Sequence, residues 1–199
     1  YRVSEKMISN AEVARIAGGL RSLGVGPGDR VAAYLPNIPE AVAAVLACAS
    51  IGAIWSSCSP DFGARSVVDR FAQIEPKVLL VVDGYRYGGK DFDRRDVLER
   101  LQAEMPTLRQ TVVLPYLDGD PDLAGLRDTV SWATLLAGDS DTPLAFAQMP
   151  FGHPLWVLYS SGTTGLPKAI VHGHGAILLE LLKKLRLHAD LQGDDRLFW

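Results

Sequence analysis

The sequence predicts an α/β fold in which strands and helices alternate and build a largely parallel sheet. Segments with a helical spacing of apolar residues take turns with short apolar segments along most of the chain. One short segment, KVLLVV at residues 77–82, is apolar without interruption after its lysine, which is typical of a strand buried on both faces. Helices placed between such strands indicate parallel βαβ units. With 199 residues, of which 48% are apolar, the chain is long enough to bury such a core.

Six segments show the periodicity of an amphipathic helix. They are residues 10–23, 37–50, 64–74, 94–105, 131–137 and 177–187. In the first, Ser9 and Glu12 have the spacing of a capping box. In the second, Pro39 stands near the start and Gly52 stands just after the end, where a C-cap is expected. The last helix carries a row of leucines that we expect to face the core: Leu178, Leu181, Leu182 and Leu185.

Six short apolar segments are predicted strands. They are residues 30–35, 53–59, 77–82, 111–114, 155–159 and 169–172. Between residues 115 and 154 the pattern weakens into Asp, Gly and Pro, so we expect a surface excursion or the joint of a subdomain there. The chain opens at Tyr1 and closes with RLFW, which looks like the start of another strand. We therefore expect a piece of a longer protein.

Charge and composition argue against several classes of partner. The net charge is −3 and the Lys and Arg residues are scattered, so no basic patch for nucleic acid or an anionic membrane is expected. The longest apolar stretch, residues 41–55, is shorter than the roughly 20 residues that a membrane span needs. Cys48 and Cys58 lack the spacing of a metal or redox site, and no secretory signal pattern opens the chain. The expected ligands are small molecules, and the expected compartment is the cytoplasm.

The most informative stretch is LYSSGTTGLPKAIVHGHG, residues 158–175. Its Gly/Ser/Thr-rich part connects the predicted strands at 155–159 and 169–172. Glycines there permit positive φ and close approach of the backbone to a ligand, while hydroxyl and N–H groups supply donors for phosphate oxygens. Pro167 limits the backbone before Lys168, which supplies the positive charge. The predicted phosphate-binding residues are Ser160, Ser161, Gly162, Thr163, Thr164, Gly165 and Lys168.

Other interpretations of these motifs are weaker. Gly/Ser/Thr clusters also occur as flexible linkers, which the lysine and the flanking strands disfavour. The Walker pattern requires Ser or Thr after its lysine, whereas Ala169 follows Lys168. The glycines of GVGPGD, residues 24–29, lie between a helix and a strand, so they are turn glycines and not a dinucleotide fingerprint. HGHG at residues 172–175 offers two imidazoles without Cys, Asp or Glu nearby, which favours a structural or substrate-lining role over zinc binding.

The segment YSSGTTGLPKAIVH resembles the phosphate-loop motif of the adenylate-forming enzymes, the superfamily of acyl-CoA synthetases, luciferases and peptide-synthetase adenylation domains. Nine of the ten motif positions match, and the departure is Ala169, where that family usually has glycine. LGVGPGDRVAAYLPN, residues 23–37, is similar to the N-terminal helix, turn and strand of the family. More narrowly, ASIGAIWSSCSPDFGARSVVDRFAQIEPKVL, DFDRRD and VHGHGAILLELLKKLRLHADL resemble the members that activate acetoacetate.

The resemblance implies a two-step ligase reaction that uses ATP, Mg²⁺ and CoA. A carboxylate attacks the α-phosphate of ATP to form an acyl-adenylate, and the CoA thiol then displaces AMP. By the same resemblance, Thr163, Thr164 and Lys168 hold the β- and γ-phosphates. In relatives a basic segment after the third strand contacts CoA phosphates, which points to Arg86 and Lys90 of GYRYGGK. The alternative is that Arg86 and Lys90 are solvated surface residues that do not contact CoA.

The resemblance also implies that residues 1–199 are the first part of a large N-terminal AMP-binding domain. In the family, the adenine-binding, ribose-binding and Mg²⁺-coordinating segments and a C-terminal domain follow the phosphate loop, so this chain by itself is expected to be inactive. The expected acid is acetoacetate and the expected product acetoacetyl-CoA. Two alternatives stay open: another short-chain acyl-CoA synthetase, such as one for acetate, and a non-catalytic nucleotide-binding module.

Overall fold

The centre of the structure is a seven-stranded sheet. The structure is a computed structural model that describes residues 7–138, 143–161 and 165–196. The strands are β1 (Arg30–Tyr34), β2 (Ile54–Cys58), β3 (Val78–Val82), β4 (Gly84–Tyr87), β5 (Lys90–Asp93), β6 (Gln110–Leu114), β7 (Thr129–Ser131), β8 (Pro154–Ser160) and β9 (Lys168–Gly173). The sheet has the order β7-β6-β3-β1-β2-β8-β9, and β4 pairs separately with β5. Neighbours in the sheet are parallel except for the antiparallel pair β8 and β9, which confirms the predicted α/β fold with a largely parallel sheet.

Helices lie between the strands along the chain. They are α1 (Asn10–Ser22), α2 (Pro39–Ser50), α3 (Ala64–Phe71), α4 (Arg95–Glu104), α5 (Trp132–Leu135) and α6 (His174–Lys183). A 3₁₀ turn at Ala72–Ile74 continues α3, and a π-helical turn at Lys184–His188 continues α6. The Ser9 hydroxyl accepts a hydrogen bond from the Glu12 backbone N–H at 3.1 Å, which is the N-cap bond of the predicted capping box. Gly52 has a φ of +72° just after α2, as expected for a residue at a helix C-terminus.

The sheet separates two apolar cores. On one face, β1 side chains such as Val31 and Ala33 pack with residues of α1, α2 and α5. On the other face, Ala32 and Tyr34 pack with residues of α3 and α4. All five residues of β3 are buried, because this strand is covered on both faces. Burial on both faces explains why β3 appears in the sequence as a continuous apolar segment.

The hairpin β4–β5 and the edge strand β7 are absent from the sequence prediction. Gly88 and Gly89 join the hairpin with φ of +57° and +76°, the two positive values that a type I′ turn needs. Across the hairpin, the rings of Tyr85 and Phe92 stack with centroids 5.0 Å apart. β7 adds a parallel edge to the sheet within the segment expected to be irregular. Strands of three or four residues carry too little periodicity to be recognised without their partners.

The leucines of α6 contradict the sequence prediction. Leu178, Leu181 and Leu182 are 59%, 46% and 49% exposed, although their spacing predicts that they face the core. Leu185, in the following π-helical turn, is partly buried. Within the described part of the chain, no residue of α6 is buried. The spacing of apolar residues identifies an apolar helix face, but it does not determine what covers that face.

The two cysteines are buried free thiols. Burial raises the pKa of Cys58 to about 11 and also raises the pKa of Cys48, so both thiols stay protonated at neutral pH. Cys48 lies in α2, within the most apolar stretch of the sequence. Over residues 7–138, 143–161 and 165–196, no helix combines the length and the hydropathy needed to cross a bilayer.

Asp83 anchors the loop that follows β6. It directly follows β3 and is 4% exposed. Its carboxylate accepts hydrogen bonds from the backbone N–H groups of Tyr116, Leu117 and Asp118 at distances between 2.7 and 3.2 Å. The backbone carbonyl of Asp83 accepts from the N–H of Arg94 at 2.9 Å. One buried side chain therefore ties together the ends of two neighbouring strands.

Asp83→Asn should lower the free energy of unfolding by about 2 kcal/mol, since the amide replaces one acceptor oxygen with N–H donors that face backbone N–H groups. Urea unfolding measures this change. The matched control is Asp120→Asn, an exposed position of the same loop, which should alter stability by less than about 0.5 kcal/mol. Equal stability of Asp83→Asn and the wild type would contradict the anchoring role.

Candidate functional site

The loops that follow the parallel strands meet at one edge of the sheet. The ends of β1, β2, β3, β6 and β8 share this edge, and open α/β sheets bind ligands there. The predicted phosphate loop follows β8, and the hairpin β4–β5 follows β3. β3 and β8 are three positions apart in the sheet order. That separation corresponds to roughly 15 Å at the usual strand spacing, so the predicted phosphate and CoA residues lie on the same edge in two separate places.

Strands β8 and β9 carry the two ends of the phosphate motif. Ser160 ends β8 and Lys168 begins β9, and the two residues face each other in the antiparallel register. The described members of the motif are all exposed: Ser160, Ser161, Gly165 and Lys168. The other predicted members of the motif lie outside the described residues: Gly162, Thr163 and Thr164.

Gly165 adopts a backbone conformation of the kind that glycine permits in the motif. Its φ is +99°, which residues with a Cβ rarely adopt. A Cβ added there would meet no heavy atom of the described chain within 4 Å, so the requirement for glycine is conformational and not steric. Ala169, where the family motif usually has glycine, lies in β9 opposite Tyr159. A strand is a conformation that alanine adopts without strain.

The C-terminal end of α3 contacts the hairpin formed by β8 and β9, near the end of β8 and just before the start of β9. The Tyr159 hydroxyl donates to the carbonyl of Arg70 at 2.8 Å, and the Gln73 amide donates to the carbonyl of Pro167 at 3.0 Å. Burial raises the pKa of Tyr159 to about 12, so its hydroxyl stays protonated and able to donate. Sequence reasoning missed both contacts, because each joins residues about ninety positions apart and neither belongs to a local pattern.

Arg70 places a second cation beside the start of the motif. Its guanidinium carbon lies 5.1 Å from the ring centroid of Phe62 and 6.0 Å from that of Tyr159. One of its terminal nitrogens donates to the carbonyl of Ser66 at 2.7 Å. Two aromatic rings and a helix carbonyl therefore hold this charge next to the end of β8.

Tyr34 and Arg94 fix the loop that follows β2. The Tyr34 hydroxyl lies 2.7 Å from the carbonyl oxygen of Pro60 and 2.6 Å from that of Phe62, so its single proton is shared between two acceptors. Arg94 donates from Nε to the Pro60 carbonyl at 2.9 Å and from Nη2 to the Tyr85 hydroxyl at 3.1 Å. The loop after β2 is thereby joined to the hairpin after β3.

Arg86 and Lys90 lie on the exposed hairpin. Arg86 makes a two-pronged ion pair with Asp91, with Nε–Oδ1 at 2.5 Å and Nη2–Oδ2 at 2.9 Å. The hydrogen bond and charge of Asp91 raise the pKa of Arg86, and Arg86 lowers the pKa of the Asp91 carboxyl. A phosphate that binds Arg86 competes with Asp91 for the same guanidinium. The assignment of Arg86 and Lys90 to CoA stays a prediction.

The histidines of HGHG make structural contacts. His172 accepts a hydrogen bond at Nδ1 from the indole N–H of Trp156, the residue opposite it in β8, at 2.9 Å. His174 lies with its ring centroid 5.8 Å from that of His153, whose Nε2 is 2.8 Å from the Gly52 carbonyl oxygen. Burial, and to a smaller extent the neighbouring His153, lower the pKa of His174.

An apolar cavity of about 460 Å³ opens between the start of α2 and the sheet. Its walls include Ile38, Val42, Val45 and Trp55. It lies on the face of the sheet that carries α2, whereas Tyr159 contacts α3 on the opposite face. Because its lining is mainly hydrocarbon, the cavity fits an apolar group better than a phosphate.

Comparison with known proteins assigns this architecture to a family. The family model described as "AMP-binding enzyme" matches residues 9–199. The chain belongs to the AMP-binding enzyme family. This membership confirms the resemblance to adenylate-forming enzymes that the phosphate motif indicates.

Several members of the AMP-binding family that resemble this chain are acetoacetyl-CoA synthetases. The one from Rhizobium meliloti (strain 1021) is 50% identical over 191 residues, which cover 95% of this chain and 29% of the relative. The one from Danio rerio is 45% identical over 190 residues, which cover 92% and 28%. The solved structure of acetoacetyl-CoA synthetase from Streptomyces lividans superposes with a TM-score of 0.88 at 57% identity, over 96% of this chain and 28% of that chain. The chain spans less than a third of the length of these relatives.

Gly165→Ala should lower the free energy of unfolding by about 1 kcal/mol, because the new Cβ raises the energy of a positive φ without meeting another group. Denaturant unfolding measures the change. Gly193→Ala is the matched control, since a Cβ there also meets nothing within 4 Å and the residue has no positive φ. If both substitutions have the same effect, the conformational requirement at Gly165 is wrong.

Proposed function

We propose that this chain is part of an ATP-dependent acetoacetate–CoA ligase. In the first step, a carboxylate oxygen of acetoacetate attacks the α-phosphorus of ATP, and the bond to the bridging oxygen of the β-phosphate breaks to release pyrophosphate. In the second step, the CoA thiol loses its proton to solvent, its sulfur attacks the acyl carbon, the bond from that carbon to the phosphate oxygen of AMP breaks, and acetoacetyl-CoA forms. The observation that carries the proposal is the phosphate motif at the carboxyl end of β8, in a chain whose relatives are named for this ligase.

The phosphate motif would act in the first step. Its proposed members are Ser160, Ser161, Gly162, Thr163, Thr164, Gly165 and Lys168. Negative charge grows on the departing pyrophosphate as the bond to the α-phosphorus breaks. Donors that are already in place therefore stabilise the transition state more than they stabilise bound ATP. We assign the catalytic part of this role to Thr163, Thr164 and Lys168, with Lys168 supplying the formal charge.

Magnesium would enter as part of the substrate, bound to the phosphates of ATP. Among the residues that the structure describes, no group of three or more His, Cys, Asp or Glu side chains is arranged to hold a metal ion.

We propose that residues 1–199 form the first part of the large N-terminal AMP-binding domain. That the chain is only a part is supported by the share of the relatives' length that it covers, 29% and 28% for the two curated relatives, whereas its place at the start rests on the resemblance of its motifs. The segments for adenine, ribose and the C-terminal domain would then belong to the remainder. The buried free thiols of Cys48 and Cys58 fit a reducing cytoplasm, where acetoacetyl-CoA would enter lipid metabolism.

In the full-length enzyme, acetoacetate should support exchange of label between pyrophosphate and ATP, and Lys168→Ala should slow that exchange by roughly 10²-fold. Loss of one preorganised charge next to a developing anion has an effect of this order. The exchange assay follows the first step alone and needs no CoA.

Two controls make this test specific: a comparison of several carboxylic acids, and a substitution at a second lysine. Lys183→Ala removes an exposed lysine that pairs with Glu180 on α6, and it should leave the exchange rate unchanged. Faster exchange with acetate than with acetoacetate would favour an acetyl-CoA synthetase. ATP binding without exchange for any acid would favour a nucleotide-binding module.

Arg86→Ala should raise the KM for CoA about fivefold and leave pyrophosphate exchange unchanged, because one exposed charge contact is lost and the exchange does not involve CoA. Steady-state kinetics with varied CoA measure the first quantity. Arg100→Ala, an exposed arginine of α4 that pairs with Glu104, is the control. An unchanged KM for CoA in both Arg86→Ala and Lys90→Ala would show that these two residues do not bind CoA and are solvated surface residues.

A further inference from the structure

The end of α3 is bonded to both strands that carry the phosphate motif. Tyr159, near the end of β8, donates its hydroxyl to the carbonyl of Arg70 at 2.8 Å. Gln73, in the 3₁₀ turn after α3, donates from Nε2 to the carbonyl of Pro167 at 3.0 Å. Pro167 directly precedes Lys168, the first residue of β9. The chain therefore leaves and re-enters the sheet at two points held by the same helix end.

Both N–H groups of the Gln73 amide have an acceptor. The second acceptor is the carbonyl of Asp69, one turn earlier, at 2.6 Å. Carbonyls in the last turn of a helix lack partners within the helix, so this bond also satisfies part of the α3 C-terminus. The bond to Asp69 thus holds the Gln73 amide against α3. Its second bond, to Pro167, holds the start of β9 at a defined position relative to that helix.

The bond to Pro167 acts on Lys168 through one peptide group. The carbonyl of Pro167 and the N–H of Lys168 belong to one planar peptide group. A hydrogen bond to that carbonyl therefore orients the peptide plane that precedes the Cα of Lys168. The ring of Pro167 also restricts its own φ. The orientation of this peptide plane and the φ of Pro167 are therefore both limited before a ligand binds. Each of these rotations would otherwise move Lys168 relative to α3.

We propose that Gln73 is a positioning residue for Lys168: by holding the Pro167 carbonyl, its amide keeps Lys168 oriented toward the β- and γ-phosphates of ATP. The inference rests on the proposed function, because it requires Lys168 to contact phosphate. A charge stabilises a transition state effectively only when it is already in place, and a displacement of about 1 Å can lower a rate by as much as 10²-fold.

The test is a double-mutant cycle in the full-length enzyme with Gln73→Met, Lys168→Ala and both together. Methionine keeps the length of glutamine without its donor, and Gln73 is exposed, so the substitution leaves no cavity. Gln73→Met should slow acetoacetate-dependent pyrophosphate exchange about tenfold and raise the KM for ATP. Its free energy of unfolding should fall only slightly, because water can replace the lost donor at two exposed carbonyls, and its KM for CoA should stay at the wild-type value. In the Lys168→Ala background the same substitution should change the exchange rate by less than about twofold, since the residue it positions is gone.

Two further variants isolate the donor. Arg65→Met replaces an exposed α3 side chain whose ion pair is with Asp69, and it should keep the wild-type exchange rate. Gln73→Glu keeps the side-chain length, but its ionised carboxylate would face two carbonyl oxygens. It should slow exchange at least as much as Gln73→Met does.

The outcomes separate this inference from the proposed function. If Lys168→Ala leaves exchange unchanged, the proposed role of the phosphate motif fails and the inference fails with it. If Lys168→Ala slows exchange while Gln73→Met does not, or if the two effects multiply in the double variant, the positioning role is wrong and the function stands. A loss of stability in Gln73→Met large enough to explain the slower exchange would also overturn the positioning role.

Discussion

The structure depends on the burial of the central strands β1 and β3 on both faces. Their backbone groups are paired within the sheet, and their side chains require helices on each side to exclude water. α1, α2 and α5 cover one face, and α3 and α4 cover the other. Parallel strands connected in this way all end at the same edge, so the loops that follow them gather there. The demand for burial therefore also determines where a ligand site forms.

Side chains then connect the loops at that edge. Tyr34 and Arg94 bind the carbonyl of Pro60, and Asp83 binds three backbone N–H groups after β6. Each bond satisfies a polar backbone group and also joins segments that follow different strands. The same arrangement extends to β8, where Tyr159 bonds to the end of α3. Fixed loop ends matter for a glycine-containing motif, because glycine loses more backbone freedom than other residues when its conformation is fixed.

Charge at the edge is local and does not follow from the composition. The chain as a whole carries a net charge of −3. At the end of β8, Arg70 lies near two aromatic rings, and Lys168 is exposed at the start of β9. At the end of β3, Arg86 is instead paired with Asp91. An exposed cation interacts weakly with an anion in water, so its usefulness depends on how well the fold fixes its position.

Features that depend on local chemistry could be predicted from the amino-acid sequence. Helical and strand periodicity predicted the α/β fold, the capping box predicted the start of α1, and the glycine at position 165 permits the positive φ that it adopts. Three features became visible only in the fold: within residues 1–199 the leucine row around Leu178 is exposed, residues 84–93 form a hairpin, and Gln73 bonds to Pro167. Periodicity, caps and φ depend on neighbours within a few residues, whereas the covering of a helix face or a bond across 94 positions depends on where distant segments meet in the fold.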